Sequence, residues 1–339
     1  MENVVQLNPE GKAPKDALGN LAQMLRREME GVNDVILRRM ESHVDLIPEL
    51  AGHLINSGGK RLRPLLTIAT SHMCGYDGGR EISLAACIEF IHTATLLHDD
   101  VVDESDMRRG RRTANVVWGN SASVLVGDYL FSRSFQMIAE DGSIEVVELL
   151  ADTSTALSEG EVLQLTASSN VDTSEETYLQ VIDAKTAALF AAACKVGGIV
   201  ADSSETQKDA LQSYGRNLGI AFQLVDDALD YSATQASMGK AVGDDFKEGK
   251  ITLPVILAYR RGSEVDREFW RRTLAQGDQR DGDLGKAIAL MNEQGTMVDT
   301  IARAQHYGAM AKDSLGIFPQ SPLREALIDV VDFCVDRAY

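Results

Sequence analysis

Two aspartate clusters of identical spacing occur in this chain, over residues 99–103 and 226–230, each with aspartates at its first, second and fifth positions. Each cluster follows an apolar stretch typical of a helix, and residues four apart lie on one face of a helix. Paired carboxylates on one face repel each other unless a cation binds between them. Two such pairs facing each other would form an all-oxygen site, which suits Mg²⁺ held together with substrate phosphates. The clusters therefore predict a magnesium site for a phosphorylated substrate.

Basic residues stand near both clusters and could hold those phosphates. They occur in a glycine-led stretch over 58–64, after the first cluster over 108–112, within a helical run at Lys185, and after single glycines at Lys240 and Lys250. The stretch 58–64 lacks the spacing of a P-loop. Each cation alone is typical of a solvated surface charge. Together they supply the arginine forks and lysine ammonium groups that two separate polyanions need.

The stretches that must position these residues are predicted to be helices. Ser83 is placed as the N-cap of a helix over 84–102 that ends in the first cluster, and a helix over 207–231 carries the second. Ser174 opens another helix over 175–200. Alternating patterns typical of strands are almost absent.

Further helices are predicted over 18–46, from Pro64 onward, over 121–138 and over 144–167. With 44% hydrophobic residues among 339, the chain can bury a large core. We expect a flexible tail over residues 1–17 and one all-α domain over 18–339. The segment 232–250, rich in glycine and charge, is interpreted as an ordered functional loop or a flap.

The bulk composition excludes several functional classes. The formal net charge of −18 argues against a general nucleic-acid binder. The four cysteines are scattered without a Cys-x-x-Cys pair, so free thiols in a reducing cytosol are favoured over a zinc site or a disulfide framework. No apolar run reaches transmembrane length, and the first residues show no signal-peptide pattern. The expected location is the cytoplasm.

Taken in order along the chain, these motifs resemble the trans-isoprenyl diphosphate synthases, most closely the long-chain polyprenyl branch. One aspartate motif alone is weakly specific, but the ordered set is very specific. The matching pieces are Gly58–Pro64, Leu96–Asp103, Arg108–Gly110, Gly127–Tyr129, Glu159–Glu161, Lys185–Thr186 and Phe222–Asp230.

The resemblance implies a single-domain helical bundle around a deep central cavity, with the two clusters facing each other at its mouth. It implies that metal is bound directly by Asp99, Asp103 and Asp226, with support from Asp100, Asp227 and Asp230. It assigns the allylic diphosphate to Arg108, Lys185 and Lys240, with Thr186 and Gln223 nearby, and counts Lys250 among the substrate-binding residues. It assigns the diphosphate of isopentenyl diphosphate to Lys60, Arg63, His92 and Arg109. Catalysis is assigned to Asp99, Asp103, Asp226, Lys185 and Lys240.

The activity implied by the resemblance is a prenyl transfer. An allylic primer, farnesyl or geranylgeranyl diphosphate, would condense with several isopentenyl diphosphates to give an all-trans product of about C40 to C50 for a quinone side chain. The resemblance also implies three Mg²⁺ per site, replaceable by Mn²⁺, and a homodimer. It further implies transient membrane contact during product release.

Product length is expected to depend on the residues just before the first cluster. Short-chain members of the family often carry aromatic side chains four or five positions before the first aspartate, whereas this chain has Thr95 and Ala94 there. Small residues would let the prenyl tail grow further, although ordinary close packing of helices is the alternative explanation. Phe131, Phe135 and Met137 are candidates for the cavity floor.

Two other functions fit parts of the pattern. A class I terpene cyclase also uses an aspartate-rich motif, but its second metal motif differs and it needs no second diphosphate site. A non-catalytic partner subunit of a synthase tends to lose aspartates, whereas both clusters here are intact. The synthase is therefore the favoured hypothesis.

Overall fold

The structure is a computed structural model, and it describes residues 16–55, 59–108, 110–232 and 242–336. Within these ranges the chain is helical apart from connecting segments and one short antiparallel hairpin, in which Met107 faces Arg112. The predicted all-α class is thus confirmed. None of the described helices is both long and apolar enough to cross a bilayer.

The helices are numbered in chain order. Before the hairpin, α1 to α5 cover Ala17–Met24, Arg26–Arg39, Leu46–Ile55, Leu62–Met73 and Arg80–Val102. The hairpin strands β1 and β2 are Met107–Arg108 and Arg111–Arg112. Then α6 to α11 cover Ala114–Trp118, Asn120–Asp141, Ile144–Ala167, Glu175–Ile182, Ala188–Val200 and Glu205–Asp230. The last helices, α12 to α17, cover Asp244–Lys247, Leu253–Arg261, Glu264–Trp270, Asp283–Glu293, Thr296–Ser314 and Pro322–Asp336.

Shorter helical turns join some of these helices. A π-helical turn over Asp183–Ala187 links α9 to α10 without a break. A second π-helical turn and a 3₁₀ turn cover Arg271–Ala275 and Leu315–Ile317.

Local capping explains several of the helix boundaries. Ser174 caps α9 as predicted, its hydroxyl accepting from the backbone N–H of Thr177 at 2.9 Å. Ser204 and Gln207 form a capping box at the start of α11. The prediction that Ser83 caps α5 is wrong, because the helix begins three residues earlier. Gly79, with φ of +90°, makes the entry turn there, a backbone conformation that glycine adopts without steric cost.

The predicted tail lies mostly outside the described residues. Of residues 1–17, the structure describes Asp16, which caps α1 by accepting from Gly19, and Ala17, the first residue of α1. The division into a tail and one helical domain stays a prediction. The predicted helix over 18–46 is divided into α1 and α2, which ends at Arg39.

Two groups of buried side chains hold the helices together. The large core lies mainly between α2, α4, α5, α7, α10, α11 and α17, and the small core between α9, α11 and α13 to α16. Helix α11 contributes to both, with Tyr214 in the large core and Leu224 in the small one. Each fully buried side chain of this size contributes about 1.5–3 kcal/mol. The two aspartate-bearing helices, α5 and α11, are therefore anchored along their length, and the side chains at their C-terminal ends are held in place.

Candidate active site

A cavity of about 250 Å³ lies where the C-terminal ends of α5 and α11 meet. It brings together residues of both aspartate clusters and three of the predicted cations. Its lining comprises Leu96, Asp99, Asp103, Arg108, Gln164, Ala167, Ser168, Thr173, Tyr178, Val181, Ile182, Lys185, Thr186, Gln223, Asp227, Asp245, Lys250, Ile251 and Thr252. The lining thus carries fixed charges of both signs among apolar and neutral polar side chains.

In the first cluster, the two carboxylates facing the cavity meet lysines from distant parts of the chain. Lys185 Nζ lies 3.6 Å from Asp99 Oδ2, and Lys250 Nζ lies 3.1 Å from Asp103 Oδ2. Asp103 is also the C-cap of α5, where the helix dipole adds negative potential. The lysines balance that charge. Lys185 is shared with Glu161, whose Oε2 accepts from it at 2.8 Å.

Asp100, between those two, has a different role. Its side chain is fully buried and is absent from the cavity lining, and its Oδ1 accepts from the guanidinium of Arg108 at 2.8 Å. Arg108 lies on β1, eight positions after Asp100, and the segment between the end of α5 and β1 brings its guanidinium back to this carboxylate. Among the described residues, Asp100 Oδ2 has no hydrogen-bond partner. Asp100 therefore holds Arg108 at the edge of the cavity.

In the second cluster, Asp227 is the aspartate that lines the cavity, and neutral groups hold it. The hydroxyl of Tyr178 donates to Oδ2 at 2.5 Å and the amide of Gln223 donates to Oδ1 at 2.7 Å. Gln223 in turn accepts from Thr186 Oγ1 at 3.0 Å. This chain of hydrogen bonds joins the helix of Lys185 to α11. It also fixes the direction of the Asp227 carboxylate.

The other two aspartates of this cluster lie outside the cavity lining. Asp226 is half-buried, and Asp230 is buried with its Oδ2 accepting from the backbone N–H of Asp245 at 3.0 Å. Asp230 thus binds the first turn of α12. That contact places Asp245 in the cavity wall, where the sequence analysis did not expect a site residue.

Burial raises the pKa of three carboxyl groups that line the cavity, those of Asp99, Asp227 and Asp245. The pKa of Asp99 rises to about 7 because of burial, with Lys185 lowering it and Glu161 and Asp103 raising it further. The pKa of Asp227 rises to about 6 for the same first reason. Burial and nearby carboxylates also raise the pKa of Asp245 well above its ordinary value. Burial thus outweighs the effect of Lys185 on Asp99 and of Lys250 on Asp227 and Asp245, which lowers these pKa values.

The carboxylates fit a divalent cation that brings its own further ligands. Within the described ranges, no three His, Cys, Asp or Glu side chains stand close enough together to form a ready-made metal site. Mg²⁺ is commonly held by one or two carboxylates plus water and phosphate oxygens, which matches pairs such as Asp99 and Asp103. A cation there would also offset the repulsion that raises the pKa of Asp99.

The residues predicted for the second diphosphate, called the second basic group below, lie outside the cavity lining. The guanidinium of Arg63 lies 4.3 Å from the ring centre of Phe190, and its Nη1 is 3.3 Å from His92 Nε2. Lys60 Nζ lies 4.4 Å from the ring centre of Phe333 on α17. Neither Lys60 nor Arg63 nor His92 lines the cavity described above. These three residues therefore stand apart from the cavity, and their role in binding a second diphosphate stays a prediction.

The remaining predicted substrate-binding and chain-length residues lie in different parts of the chain. Arg109 and Lys240 lie outside the described residues. Ala94 is fully buried in the large core, and Thr95 is half-buried with its hydroxyl donating to the carbonyl of His92. The residue of this turn that lines the cavity is Leu96. The role of Ala94 and Thr95 in product length stays a prediction.

The candidates for the cavity floor lie on α7 in different environments. Phe131 is half-buried and contacts Phe135 edge to face, with 5.3 Å between ring centres. Phe135 is 42% exposed, whereas Met137 is buried in the large core. None of the three lines the 250 Å³ cavity.

Sequence reasoning missed Tyr178 and Asp245 and gave Glu161 no role. Glu161 stood in a motif of the family resemblance, and Asp245 stood in the charged segment interpreted as a loop or flap. Tyr178 carries no signal in its neighbourhood, because its partner Asp227 is 49 positions away.

Comparisons with known proteins bear on the family of the chain. The family model described as polyprenyl synthetase matches residues 44–291. The chain is 44% identical over 323 residues to the octaprenyl diphosphate synthase of Haemophilus influenzae, covering 95% of this chain and 98% of that protein. It is similar to the crystal structure of a decaprenyl diphosphate synthase from Rhodobacter capsulatus, with a TM-score of 0.92 and 53% identity over 95% of this chain and 99% of that one. A polyprenyl synthase from Caulobacter crescentus CB15, complexed with calcium and isoprenyl diphosphate, has a TM-score of 0.92 and 46% identity over 95% and 98% of the two chains.

Proposed function

The chain belongs to the polyprenyl synthetase family, and from that membership we propose that it condenses an allylic diphosphate with several isopentenyl diphosphates to make an all-trans long-chain polyprenyl diphosphate. The sequence-based prediction of a long-chain trans-prenyltransferase is confirmed by the family match and by the octaprenyl and decaprenyl relatives. One observation carries the site assignment: a single cavity is lined by residues of both clusters and by two lysines. These residues are Asp99, Asp103, Asp227, Lys185 and Lys250.

Divalent metal is the first requirement of the proposed site. The calcium in the Caulobacter relative supports a divalent cation. We assign three Mg²⁺ per site, with Mn²⁺ able to replace it, to Asp99 and Asp103 on one side and the second cluster, led by Asp226, on the other. When bound, the metal stabilises the negative charge that develops on the departing diphosphate.

The allylic diphosphate is assigned to the cations of the cavity wall. Arg108, Lys185 and Lys250 line the cavity, and Thr186 and Gln223 add neutral donors. The role assigned to Lys240 rests on the family resemblance. Lys185 and Lys250 pair with Asp99 and Asp103, and a diphosphate would offer both lysines a stronger anionic partner. Binding would thus release Asp99 and Asp103 to metal.

Isopentenyl diphosphate is assigned to the second basic group. Arg63, stacked on Phe190 and beside His92, presents a fork for a phosphate, and Lys60 adds a mobile ammonium group. Arg109 completes the set by resemblance. The separation of this group from the cavity would let both diphosphates bind at once.

The chemistry requires charge stabilisation and the exclusion of water. The allylic C–O bond breaks, and Arg108 and Lys185 stabilise the diphosphate that leaves. The double bond of isopentenyl diphosphate attacks the allyl cation, and a proton is lost to the departing diphosphate. Apolar lining residues such as Leu96, Val181 and Ile182 keep water from quenching the cation. The tail then grows by one isoprene unit per cycle.

Primer, product length and end use follow from the resemblance. We propose farnesyl or geranylgeranyl diphosphate as the primer and a product of about C40 to C50 for a quinone side chain. Ala94 and Thr95, small residues before the first cluster, would let the tail pass. The product's length would require transient membrane contact at release, from an enzyme working in the cytoplasm.

We also propose a homodimer. Helices α7 and α8 expose large apolar side chains, with Leu125 66% exposed and Val162 61% exposed. Such side chains in a protein of this charge are typical of an interface, and a second copy is the commonest occupant. The exposed set is Val124, Leu125, Phe135, Ile144, Val162 and Leu165. Light scattering should give twice the chain mass, and Leu125→Glu should reduce it.

Incorporation of radiolabelled isopentenyl diphosphate by the purified chain tests the proposed function. We expect uptake into a long-chain product with Mg²⁺ and an allylic primer, and none in excess EDTA. A terpene cyclase would give a cyclic hydrocarbon without isopentenyl diphosphate, and a partner subunit would give no product alone. Either result would contradict the proposal.

A further inference from the structure

The helix that carries Lys185 and Thr186 contains one widened turn. Between α9 and α10 the turn Asp183–Ala187 is π-helical, and the backbone N–H of Ala188 donates to the carbonyl of Asp183. Such turns are rare inside α-helices and occur mostly at functional sites. The extra residue changes the direction of the side chains that follow it. Both predicted ligands of the allylic diphosphate on this helix lie within the widened turn.

Two glycines on neighbouring helices lie against this turn. A Cβ at Gly160, on α8, would stand 2.9 Å from the backbone nitrogen of Lys185. A Cβ at Gly219, on α11, would stand 2.6 Å from the Cα of Ala187. Rotation of a side chain cannot relieve contacts this short with backbone atoms, so the turn or the helix would have to move. The turn is therefore held between two helices at a distance that only glycine permits.

Each glycine also lies close in sequence to a residue that orients the turn's side chains. Glu161, next to Gly160, accepts from Lys185 Nζ at 2.8 Å. Gln223, one helical turn after Gly219, accepts from Thr186 Oγ1 at 3.0 Å. Any displacement of the turn from α8 or α11 would alter these two contacts first.

A charged pair holds the other side of the turn. Arg216 donates from Nε and Nη2 to the two carboxylate oxygens of Asp183, both at 2.6 Å. Arg216 lies on α11, three residues before Gly219, and more than half of its side chain is exposed. The pair can therefore be removed without adding volume to the core.

We infer that Gly160 and Gly219 are positioning residues for the allylic diphosphate. They set how closely the turn Asp183–Ala187 packs between α8 and α11, and thereby how far Lys185 and Thr186 reach into the cavity. The inference rests on the proposed function of that cavity. A displacement of about 1 Å in a group that holds the reacting diphosphate can cost about a hundredfold in rate.

The test compares Gly219→Ala with Gly197→Ala. Gly197 lies on α10, and a Cβ there would stand 2.7 Å from the backbone nitrogen of Ser71 on α4. This contact is just as close, but neither residue lines the cavity. The measurements are thermal unfolding, separate steady-state constants for the two substrates, and calorimetric binding of inorganic diphosphate with Mg²⁺.

We expect Gly219→Ala to lose about a hundredfold in kcat/KM for the allylic substrate and to bind inorganic diphosphate more weakly. The KM for isopentenyl diphosphate should change by less than about twofold, since the second basic group is untouched. Gly197→Ala should lower the melting temperature and leave the constants for the allylic substrate and the binding of diphosphate unchanged. Identical kinetic patterns in the two variants, or unchanged use of the allylic substrate by Gly219→Ala, would overturn the inference.

A second pair of variants applies if Gly219→Ala does not fold. Arg216→Met loosens the turn from its exposed side, and Arg26→Met removes an exposed arginine that pairs with Glu30 far from the cavity. We expect weaker diphosphate binding in Arg216→Met alone, and equal binding in both would overturn the inference. Diphosphate binding is measured without turnover, so it tests the inference even if the wild-type protein transfers no prenyl group. A wild type without prenyl transfer would contradict the proposed function and leave the inference to the binding measurement.

Discussion

The two aspartate clusters share one spacing but differ in what surrounds them. In the first cluster, cations face the carboxylates, with Lys185 near Asp99 and Lys250 near Asp103. In the second, neutral donors hold Asp227, namely the hydroxyl of Tyr178 and an amide. A cation forms stronger hydrogen bonds to a phosphate than to a single carboxylate and can exchange one for the other. A neutral donor gains less interaction energy from such an exchange. We therefore expect the first cluster to change partners when the proposed ligands bind, and the second to stay in place.

The largest effect should come from the first cluster. Asp99→Asn keeps the shape of the side chain but removes the charge proposed to bind metal, so the rate of prenyl transfer should fall by about a hundredfold or more. The matched control is Asp152→Asn, an exposed position on α8. A loss below about tenfold, or about 1.4 kcal/mol, in Asp99→Asn would show that this carboxylate binds no essential metal.

The next effect separates the cations that face the first cluster from the second basic group. Lys185→Ala should impair use of the allylic substrate by about tenfold to a hundredfold, because one charged contact to its diphosphate is lost. Arg63→Ala should instead raise the KM for isopentenyl diphosphate, since Arg63 lies on Phe190 outside the cavity lining. Initial rates with each substrate varied in turn give the answer. If both variants changed the same constant, the two-site assignment would be wrong.

A third variant should change the product while both clusters stay intact. Ala94→Phe adds a ring five positions before Asp99, in a close-packed region that cannot absorb it without strain. The growing tail should stop early, at about C15 to C20, while the first condensation proceeds. Chromatography of dephosphorylated products from wild type and variant under the same substrate ratio measures this. An unchanged long product from a folded, active variant would show that the tail takes another route.

A smaller effect concerns the neutral donors of the second cluster. The hydrogen bond from Tyr178 lowers the pKa of Asp227, which burial has raised to about 6. Tyr178→Phe should therefore raise that pKa and move the acid limb of the activity profile to higher pH, with a loss of about threefold to tenfold near neutrality. Activity should recover toward the wild-type rate in alkaline buffer. A uniform loss at every pH would contradict this explanation.

The smallest effect should appear in stability without metal. Asp99, Asp227 and Asp230 have raised pKa values in the folded protein, mainly because they are buried. A folded state that holds protons more tightly than the unfolded chain gains stability as the pH falls, so the melting temperature should rise between about pH 8 and about pH 6. Asp99→Asn should reduce that rise. Mg²⁺ with inorganic diphosphate should abolish it, and a rise of the same size in all three samples would point to other groups.

Much of the helical framework could be predicted because its signals are local. Ser174 caps α9 through a residue three positions away, and α8 covers Ile144–Ala167 as its apolar pattern predicts. The start of α5 could not be predicted in the same way. The helix begins at Arg80, after the turn at Gly79, whereas the sequence pattern favoured a start after Ser83. The pattern alone does not show which of these two starts has the lower free energy.

The candidate site was predictable in composition and only partly in arrangement. The two clusters, the surrounding cations and the family could be recognised from the sequence alone, because spacing along a helix places i and i+4 on one face whatever lies around it.

Which carboxylate meets which cation could be learned only from the tertiary structure. Lys250 and Asp103 are 147 positions apart, and Tyr178 reaches Asp227 across 49. It also brought Asp245 into the cavity wall and placed the π-helical turn between Gly160 and Gly219. Such contacts depend on how whole helices pack, and helix packing follows from the shapes of the buried side chains and backbones rather than from any local spacing.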